Sequence, residues 1–427
     1  MKDAPLPVAA SPAYATQPAL LTRLARGAVL AKLHVLQRGE LTLADGNERR
    51  TFGRRSHDCP LAVTLTVHDP RFYRDLACGG SIGAGEAYMN GWWSCDDLTA
   101  LVRIFVLNRE LLDGMEKGGA RLTAPLQKLF HYLRRNTKAG SRSNIAAHYD
   151  LGNDFFSLFL DETLMYSCAF FERADSTLQE ASVAKNDRIC RKLQLLPADH
   201  LLEIGTGWGG FALHAARHYG CRVTTTTISR AQHDLAVQRI AAAGLSDRIT
   251  VLLQDYRDLQ GHYDKLVSIE MIEAVGHAFY ETFFRCCSHL LIPQGMMLLQ
   301  AITIADQYYE QAKRSVDFIQ RYIFPGSCIP SVSVICTALA RATDLRLFHL
   351  EDLTPHYATT LRLWRERLLA NSHRVRALGY PETFLRMWEY YFCYCEGGFH
   401  ERVIGDVHML LTKPLCRRAP ILPPSSA

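Results

Sequence analysis

The sequence of 427 residues lacks any apolar run approaching the roughly 18 residues that a membrane-spanning helix needs, so we expect any bilayer contact to be peripheral. Its first residues, MKDAPLPVAASPAYATQPAL, lack the basic patch and the uninterrupted apolar stretch of a signal peptide. We interpret residues 1–20 as a flexible tail. The 13 cysteines form no CxxC pair opposite another CxxC or an HxxxH, which predicts no metal site and a reducing, cytoplasmic setting.

The sequence also lacks a large excess of positive or negative charge. The 48 lysines and arginines against 43 acidic residues leave a net charge of +5, without the clustered basic stripe of a nucleic-acid-binding protein. This mild excess would help docking on an anionic surface. A chain of this length exceeds what one hydrophobic core usually organises, and we therefore expect two domains. Its 48% hydrophobic residues are enough for a large core.

The first domain is predicted to be small and α+β, over residues 21–117. The segment LLTRLARGAVLAKLHVLQRG has helical spacing, and ELTLADG and LAVTLTVHD alternate as strands do. The following GGSIGAGEAYMNGWWSCDDL is expected to be a glycine-rich loop with aromatic residues. The charge run HYLRRNTKAGSRSN favours a basic linker over residues 118–143.

From about Asn144 to residue 427, short apolar runs alternate with helical stretches. LLEI, RVTTTTI, ITVLLQ, KLVSIE and MMLLQAITI are typical of strands, and GFALHAARHYG, SRAQHDLAVQRIAAAG and HAFYETFFRCCSHLL are typical of helices. This alternation predicts an α/β domain with a parallel sheet and crossover helices.

The strongest motif is LLEIGTGWGG at residues 201–210, an apolar strand that ends in a glycine-rich turn into a helix. Ligands of open parallel sheets bind at such strand ends. A nicotinamide cofactor would require an acidic residue at the end of the next strand, which instead reads Thr226-Thr227-Ile228-Ser229. Glu203, just inside the turn, matches the pattern of class I methyltransferases, although the glycines alone are also compatible with a simple tight turn.

Two further signals fall where a methyltransferase needs them. Asp255 and Tyr256 follow the third strand, where an acid and an aromatic ring can hold an adenine. Glu270 and Glu273 follow the fourth strand, beside the expected reaction centre.

The segments AHYDLGNDFF at residues 147–156 and MYSCAFF at residues 165–171 make the chain resemble the cyclopropane fatty acid synthase family, including the mycolic acid cyclopropane synthases. The resemblance continues through TISRAQ, LLQDYRDL, SIEMIEAVGH, YIFPGSCIPS, HYATTL and YYFCYCEGGF. It implies a Rossmann-like, seven-stranded, S-adenosylmethionine-dependent methyltransferase sheet. A helical lid insertion at about residues 304–389 would cover an acyl-binding tunnel.

The resemblance also implies roles for individual residues. Together with Glu203 from the glycine motif, the residues expected to hold S-adenosylmethionine are Tyr149, Tyr166, Ser167, Gly205, Gly207, Thr227, Gln232, Asp255 and Tyr256. The positions that match a bicarbonate site, where the ion is the proposed base, are Cys168, Glu273, Ile302 and Tyr357. Cys395 matches a cysteine near the family's active site. Because an anion beside a carboxylate requires a proton between them, we predict a raised pKa at Glu273.

One departure concerns Gln300, which stands where the family usually has histidine in a Leu-Leu-His-Thr-Ile run. An amide can donate a hydrogen bond to an anion but cannot shuttle a proton. The reaction that the resemblance implies is methylene transfer to the cis double bond of an unsaturated phospholipid acyl chain. The alternatives are methyl addition without ring closure, a methyltransferase acting on N or O of a small molecule, and a lipid-binding relative that has lost turnover.

The resemblance further implies the setting of the protein. We expect a possible homodimer that associates peripherally with the inner face of the cytoplasmic membrane. The expected partner is an unsaturated phospholipid, and nucleic acid is not expected.

Overall fold

The computed structural model describes residues 20–109 and 152–421, which divide into two compact units. The first unit contains residues 20–109, Ser315–Ile323 and Trp364–Val403, and the second contains residues 152–314, Phe324–Leu363 and 404–421. The predicted domain limits 1–20, 21–117, 118–143 and 144–427 stay a prediction, because residues 110–151 lie outside the described part. Within that part no helix is both long and apolar enough to cross a membrane.

The first unit combines a four-stranded sheet with helices. Its strands are β1 (Gly39–Asp45), β2 (Glu48–Arg54), β3 (Ala62–Val67) and β4 (Trp93–Cys95), in the order β2-β1-β3-β4. Its early helices are α1 (Leu20–Leu33), α2 (Arg71–Met89) and α3 (Leu98–Leu107). The predicted helix and the two predicted strands are confirmed. The sequence analysis missed β2, because ERRTFGR is an edge strand that buries only Phe52.

The predicted glycine-rich loop is wrong over most of its length, because residues 79–89 belong to α2. The helix is kinked at Gly80, whose φ of 56° and ψ of −135° are not helical. A Cβ atom on Gly83 would lie 1.9 Å from the Asp75 carbonyl oxygen. Here glycine permits close backbone contact inside a helix, where the sequence pattern favours a loop.

Later segments of the chain complete the first unit. Residues 315–323 contribute α10 (Phe318–Tyr322), and residues 364–403 contribute α13 (Ser372–Ala377) and α14 (Glu382–His400). Helix α14 packs on α2 and α3. Its buried Glu389 accepts a hydrogen bond from Tyr88 at 2.7 Å, and its buried Glu396 accepts one from Thr99 at 3.0 Å.

The second unit is built on a seven-stranded mixed sheet. Its strands are β5 (His200–Ile204), β6 (Arg222–Thr227), β7 (Ile249–Leu253), β8 (Tyr263–Ile269), β9 (Leu291–Ile304), β10 (Arg346–Asp352) and β11 (Ile404–Thr412). They are ordered β10-β11-β9-β8-β5-β6-β7, and β11 runs antiparallel to both neighbours while β5 to β9 are parallel. The carboxyl ends of β5, β8 and β9 therefore share one edge of the sheet.

Helices flank this sheet. They are α4 (Asn153–Phe156), α5 (Leu178–Leu193), α6 (Gly210–Tyr219), α7 (Arg230–Ala242), α8 (Tyr280–Leu290), α9 (Asp306–Ala312), α11 (Val332–Ala342) and α12 (Thr354–Ala370), the last of which belongs to this unit up to Leu363. One apolar core packs α8 and α11 against the sheet, and a second packs α5, α6 and α7. The five predicted strands and three predicted helices of this region are confirmed.

Candidate active site

The glycine-rich turn between β5 and α6 forms the expected ligand cradle. Gly205, Gly207 and Gly209 have φ values of 106°, 52° and 83°, which favour glycine. The amides of Gly205 and Thr206 each donate to the Thr226 carbonyl at 3.0 Å, which fixes the turn on the neighbouring strand. A Cβ atom on Gly207 would meet no atom of the described residues within 4 Å, so these residues leave room for a ligand above the turn. This geometry fits S-adenosylmethionine.

Glu203 lies inside the sheet. Its side chain is buried and accepts a hydrogen bond from Thr225 at 2.6 Å. Burial raises its pKa to about 8. At the end of the next strand, β6, the Thr227 hydroxyl donates to Gln232 at 2.8 Å, so two of the residues expected to hold the cofactor lie together.

The predicted adenine pair follows β7. Asp255 is buried, and its carboxylate accepts two hydrogen bonds from the guanidinium of Arg257, at 2.8 and 2.7 Å. Burial raises the pKa of Tyr256, whose ring meets Phe283 edge-on at 5.4 Å between centroids. The sequence analysis missed Arg257, although it lies two residues after Asp255 in the same motif.

The segment before α5 brings Tyr166 and Ser167 to this edge of the sheet. The Ser167 hydroxyl accepts a hydrogen bond at 2.8 Å from Lys185, which is fully buried. Burial lowers the pKa of Lys185 to about 8, while the negative charge of Glu270 opposes that effect. Tyr149, also predicted to hold the cofactor, lies outside the described residues.

Glu270 follows β8 and holds the centre of a dense hydrogen-bond network. Its Oε1 accepts from the Cys168 amide at 2.7 Å and from Gln300 Nε2 at 2.8 Å, and its Oε2 accepts from the Tyr357 hydroxyl at 2.5 Å. The residue is only half-buried by surface area, but protein atoms enclose its carboxyl group. This burial raises its pKa to about 7, although the three donors and Lys185 favour the ionised form.

Gln300 is held in one orientation by its neighbours. Its Nε2 also donates to Asp406 at 2.9 Å, and its Oε1 lies 3.1 Å from His408 Nε2. That contact requires a proton on His408 Nε2, which leaves Nδ1 to accept from Lys192 at 3.1 Å. Burial lowers the pKa of His408 and raises that of Asp406. The amide therefore positions Glu270 while His408 stays neutral.

Glu273 lies beside this network. Its Oε1 accepts from the Ile302 amide at 2.5 Å, whereas its Oε2 is buried and meets no hydrogen-bond partner within the described residues. Burial and the charge of Glu270 raise its pKa to about 8, the direction predicted from the sequence. Its carboxyl group is therefore mostly protonated near neutral pH.

The groups predicted to hold bicarbonate are engaged with protein carboxylates. The Cys168 amide and the Tyr357 hydroxyl donate to Glu270, and the Ile302 amide donates to Glu273. These residues consequently do not fit a bound bicarbonate ion. Cys395 belongs to the first unit, on α14, where burial raises the pKa of its thiol. Its predicted place near the active site stays a prediction.

Three residues of this network were missed by the sequence analysis. Lys185 falls on the buried stripe of α5, four residues after Ala181 and four before Ile189, so its spacing carried a signal. Asp406 and His408 lie on β11, whose contribution depends on its antiparallel pairing with β9. That pairing joins residues more than 100 positions apart in the chain.

Comparison with known proteins agrees with this geometry. Residues 136–409 match the model of the family described as mycolic acid cyclopropane synthetase. The chain belongs to this family. The assigned fold, a class I methyltransferase sheet with a smaller α+β region, is thereby confirmed, as is an S-adenosylmethionine-dependent enzyme of this type.

Individual relatives support the assignment to the cyclopropane synthetase family. The chain is 39% identical over 349 residues to the tuberculostearic acid methyltransferase UfaA1 of Mycobacterium tuberculosis, which covers 80% of this chain and 81% of that protein. It is 38% identical over 350 residues to the cyclopropane-fatty-acyl-phospholipid synthase of Escherichia coli K12, covering 80% and 85%. The structure of mycolic acid cyclopropane synthase CmaA1 complexed with SAH and CTAB shares 35% identity and a TM-score of 0.60, over 64% of this chain and 98% of that one.

Proposed function

We propose that this enzyme transfers a one-carbon unit from S-adenosylmethionine to the cis double bond of an unsaturated phospholipid acyl chain and closes a cyclopropane ring. The observation that carries the proposal is the buried carboxylate pair Glu270 and Glu273, placed beside the cofactor turn. The relative named cyclopropane-fatty-acyl-phospholipid synthase, which matches most of this chain, supports the same reaction.

When bound, S-adenosylmethionine supplies an electrophilic methyl group on a sulfonium. The residues that would hold it are those of the glycine turn, the Thr227–Gln232 pair, the Asp255–Tyr256 segment, and Tyr166 with Ser167. Met271 lies 3.5 Å from the Cβ position of Gly205, so the segment carrying Glu270 directly adjoins the cofactor turn. This proximity supports the proposal that a proton acceptor lies close to where the methyl would be delivered.

Methyl transfer to an alkene leaves positive charge on carbon, which the site must shield from water. Aromatic rings stabilise such charge without attacking it. Tyr166 contributes one ring here, with Phe324 6.4 Å away between centroids. Other aromatic residues pack among themselves in the core of the first unit, as Phe318 does with Tyr390 at 4.7 Å between ring centroids.

A second product has specific support. The relative at 39% identity is named a tuberculostearic acid methyltransferase, and Gln300 replaces the usual histidine of the family. Methyl addition without ring closure is therefore the alternative ending on the same cofactor and acyl chain. The proposed setting is the inner face of the cytoplasmic membrane, with the protein bound peripherally and assembled as a homodimer.

The deciding experiment mixes purified protein with S-adenosylmethionine and vesicles of unsaturated phospholipid, followed by mass spectrometry of the fatty acids. A gain of one CH₂ with loss of the alkene is the expected result. A retained alkene with an added methyl or methylene group would favour the alternative ending. Unchanged lipid, with S-adenosylmethionine consumed only when a polar small molecule is supplied, would contradict the proposal.

A further inference from the structure

The carboxylate of Glu270 engages two of the donor groups that the resemblance assigns to a bicarbonate ion, and the amide of Gln300 as a third. It accepts hydrogen bonds from the Cys168 amide, the Tyr357 hydroxyl and the Gln300 amide, at donor–acceptor distances of 2.5 to 2.8 Å. A carboxylate and a bicarbonate present the same fork of two oxygens on one carbon, so one replaces the other in such a set of donors. Resting on the proposed function, we propose that Glu270 is the general base of this enzyme and takes the place of bicarbonate.

The backbone at Glu270 supports a role for the side chain. Its φ of 48° lies in the left-handed region, where glycine is favoured and other residues are strained by about 1 kcal/mol or more. A glycine would remove that strain. The chain nevertheless carries glutamate there, and each carboxylate oxygen is hydrogen-bonded.

The surrounding charges keep this carboxylate ready to accept a proton. Lys185 is fully buried nearby and stabilises its negative charge. Glu273 and Asp406 also lie close, but each has one buried carboxyl oxygen without a hydrogen-bond partner among the described residues, whereas both oxygens of Glu270 accept hydrogen bonds. Of the three carboxyl groups, that of Glu270 therefore has the surroundings that best stabilise the ionised form. Gln300 cannot accept the proton, because its amide nitrogen carries no basic lone pair.

The proton transfer is balanced without another reactant. After methyl transfer, one C–H bond of the new methyl group breaks, and its proton goes to a carboxylate oxygen of Glu270. The electron pair of that bond forms the third ring bond to the cationic carbon. The carboxyl group of Glu270 returns the proton to water after the product leaves, and the enzyme regains its starting state.

The test measures turnover of the full-length protein on unsaturated phospholipid vesicles in carbon-dioxide-free buffer and in buffer with added bicarbonate. The wild type is expected to change by less than about twofold, since the base belongs to the chain. A wild-type rate that collapses without bicarbonate and returns with it would overturn the inference while leaving the proposed function intact. Failure to form any modified lipid in either buffer would overturn both.

Two variants add a readout that a structural role would not move. Glu270→Gln keeps shape but cannot accept the proton, and we expect turnover to fall by about 100-fold or more with S-adenosylmethionine affinity unchanged. Glu270→Gly removes the side chain and its backbone strain. We expect added bicarbonate or formate to raise the turnover of this variant about 10-fold, because either anion can accept the hydrogen bonds that Glu270 accepted. A Glu270→Gln rate close to that of the wild type, or a Glu270→Gly rate that neither anion raises, would contradict the assignment.

Discussion

At the residue scale, the chemistry proposed for this enzyme depends on ionisable groups whose pKa values burial has moved toward neutrality. Glu270, with a pKa of about 7, must be ionised to act as a base, so the rate should rise with pH through about 7. Lys185 lowers that pKa through its charge. Lys185→Met should therefore shift the rising limb of the pH–rate profile upward, by about one pH unit.

The matched control for Lys185→Met is Lys265→Met. Lys265 is a half-buried lysine, and the acidic groups that act on it are Asp199, Cys416 and Asp264. Its substitution should leave the rising limb in place. The measurement is turnover of both variants from pH 5.5 to 9, with S-adenosylmethionine affinity measured separately. If the rising limb of the Lys185→Met profile stayed at the wild-type pH, the electrostatic coupling between Lys185 and Glu270 would be refuted.

Glu203 makes a second prediction, about stability. Its pKa is about 8 in the folded protein against 4.5 for an ordinary glutamate, so between these pH values the unfolded chain has released a proton that the folded chain retains. Stability contributed by this group therefore falls as pH rises from about 4.5 to 8. Glu203→Gln keeps an acceptor for Thr225 and removes that slope.

The expected outcome is a melting temperature of Glu203→Gln that gains on the wild type steadily between pH 5 and 8. The exposed Glu172→Gln variant serves as the reference and should follow the wild-type curve. Parallel curves for Glu203→Gln and the wild type would show that Glu203 is ionised in the folded protein.

At the element scale, helix α2 can pack as it does only because glycine occupies the positions where its backbone is in close contact. A Cβ on Gly83 would lie 1.9 Å from the Asp75 carbonyl oxygen, whereas a Cβ on Gly79 would meet no atom within 4 Å in the part of the chain that the structure describes. Gly83→Ala should therefore destabilise the protein by about 1 to 3 kcal/mol. Gly79→Ala should be neutral or stabilise it by about 0.5 kcal/mol. Urea unfolding of the two variants measures the difference, and equal stabilities would contradict the packing argument.

The same helix shows which part of the fold could not be predicted from the sequence. The strands and helices around the cofactor turn have strong periodicity and were predicted correctly, whereas α2 depends on glycine contacts that only the fold creates. Lys185 was detectable as a lysine on an apolar stripe. The orientation of Gln300 was not, because it depends on Asp406 and His408 from a distant strand.

At the scale of the whole molecule, the proposed membrane association would involve exposed apolar residues on α1. Leu20, Leu21 and Leu24 are 71%, 70% and 62% exposed, and Arg23 lies exposed between them. Such a surface favours insertion of apolar side chains beside anionic headgroups. Replacing the three leucines by serine should weaken cosedimentation with phosphatidylglycerol vesicles by about 10-fold or more.

A triple variant at other exposed leucines provides the control, namely Leu196, Leu378 and Leu415. It should sediment with vesicles as the wild type does. Raising the salt concentration should weaken binding of the wild type, since the attraction between basic residues and headgroups is screened. Identical loss in both triple variants would exclude α1 as the docking element.

Each unit is assembled from three separate stretches of the chain, which has a practical consequence for anyone editing the gene. No single cut yields one unit whole. Deleting the first 133 codons would leave α14 without Tyr88 and Thr99, and its carboxylates Glu389 and Glu396 would lose those donors. A shortened version of this enzyme therefore calls for an apolar or amide replacement at position 389, whereas Glu396 keeps its ion pair with Arg365 at 3.4 Å.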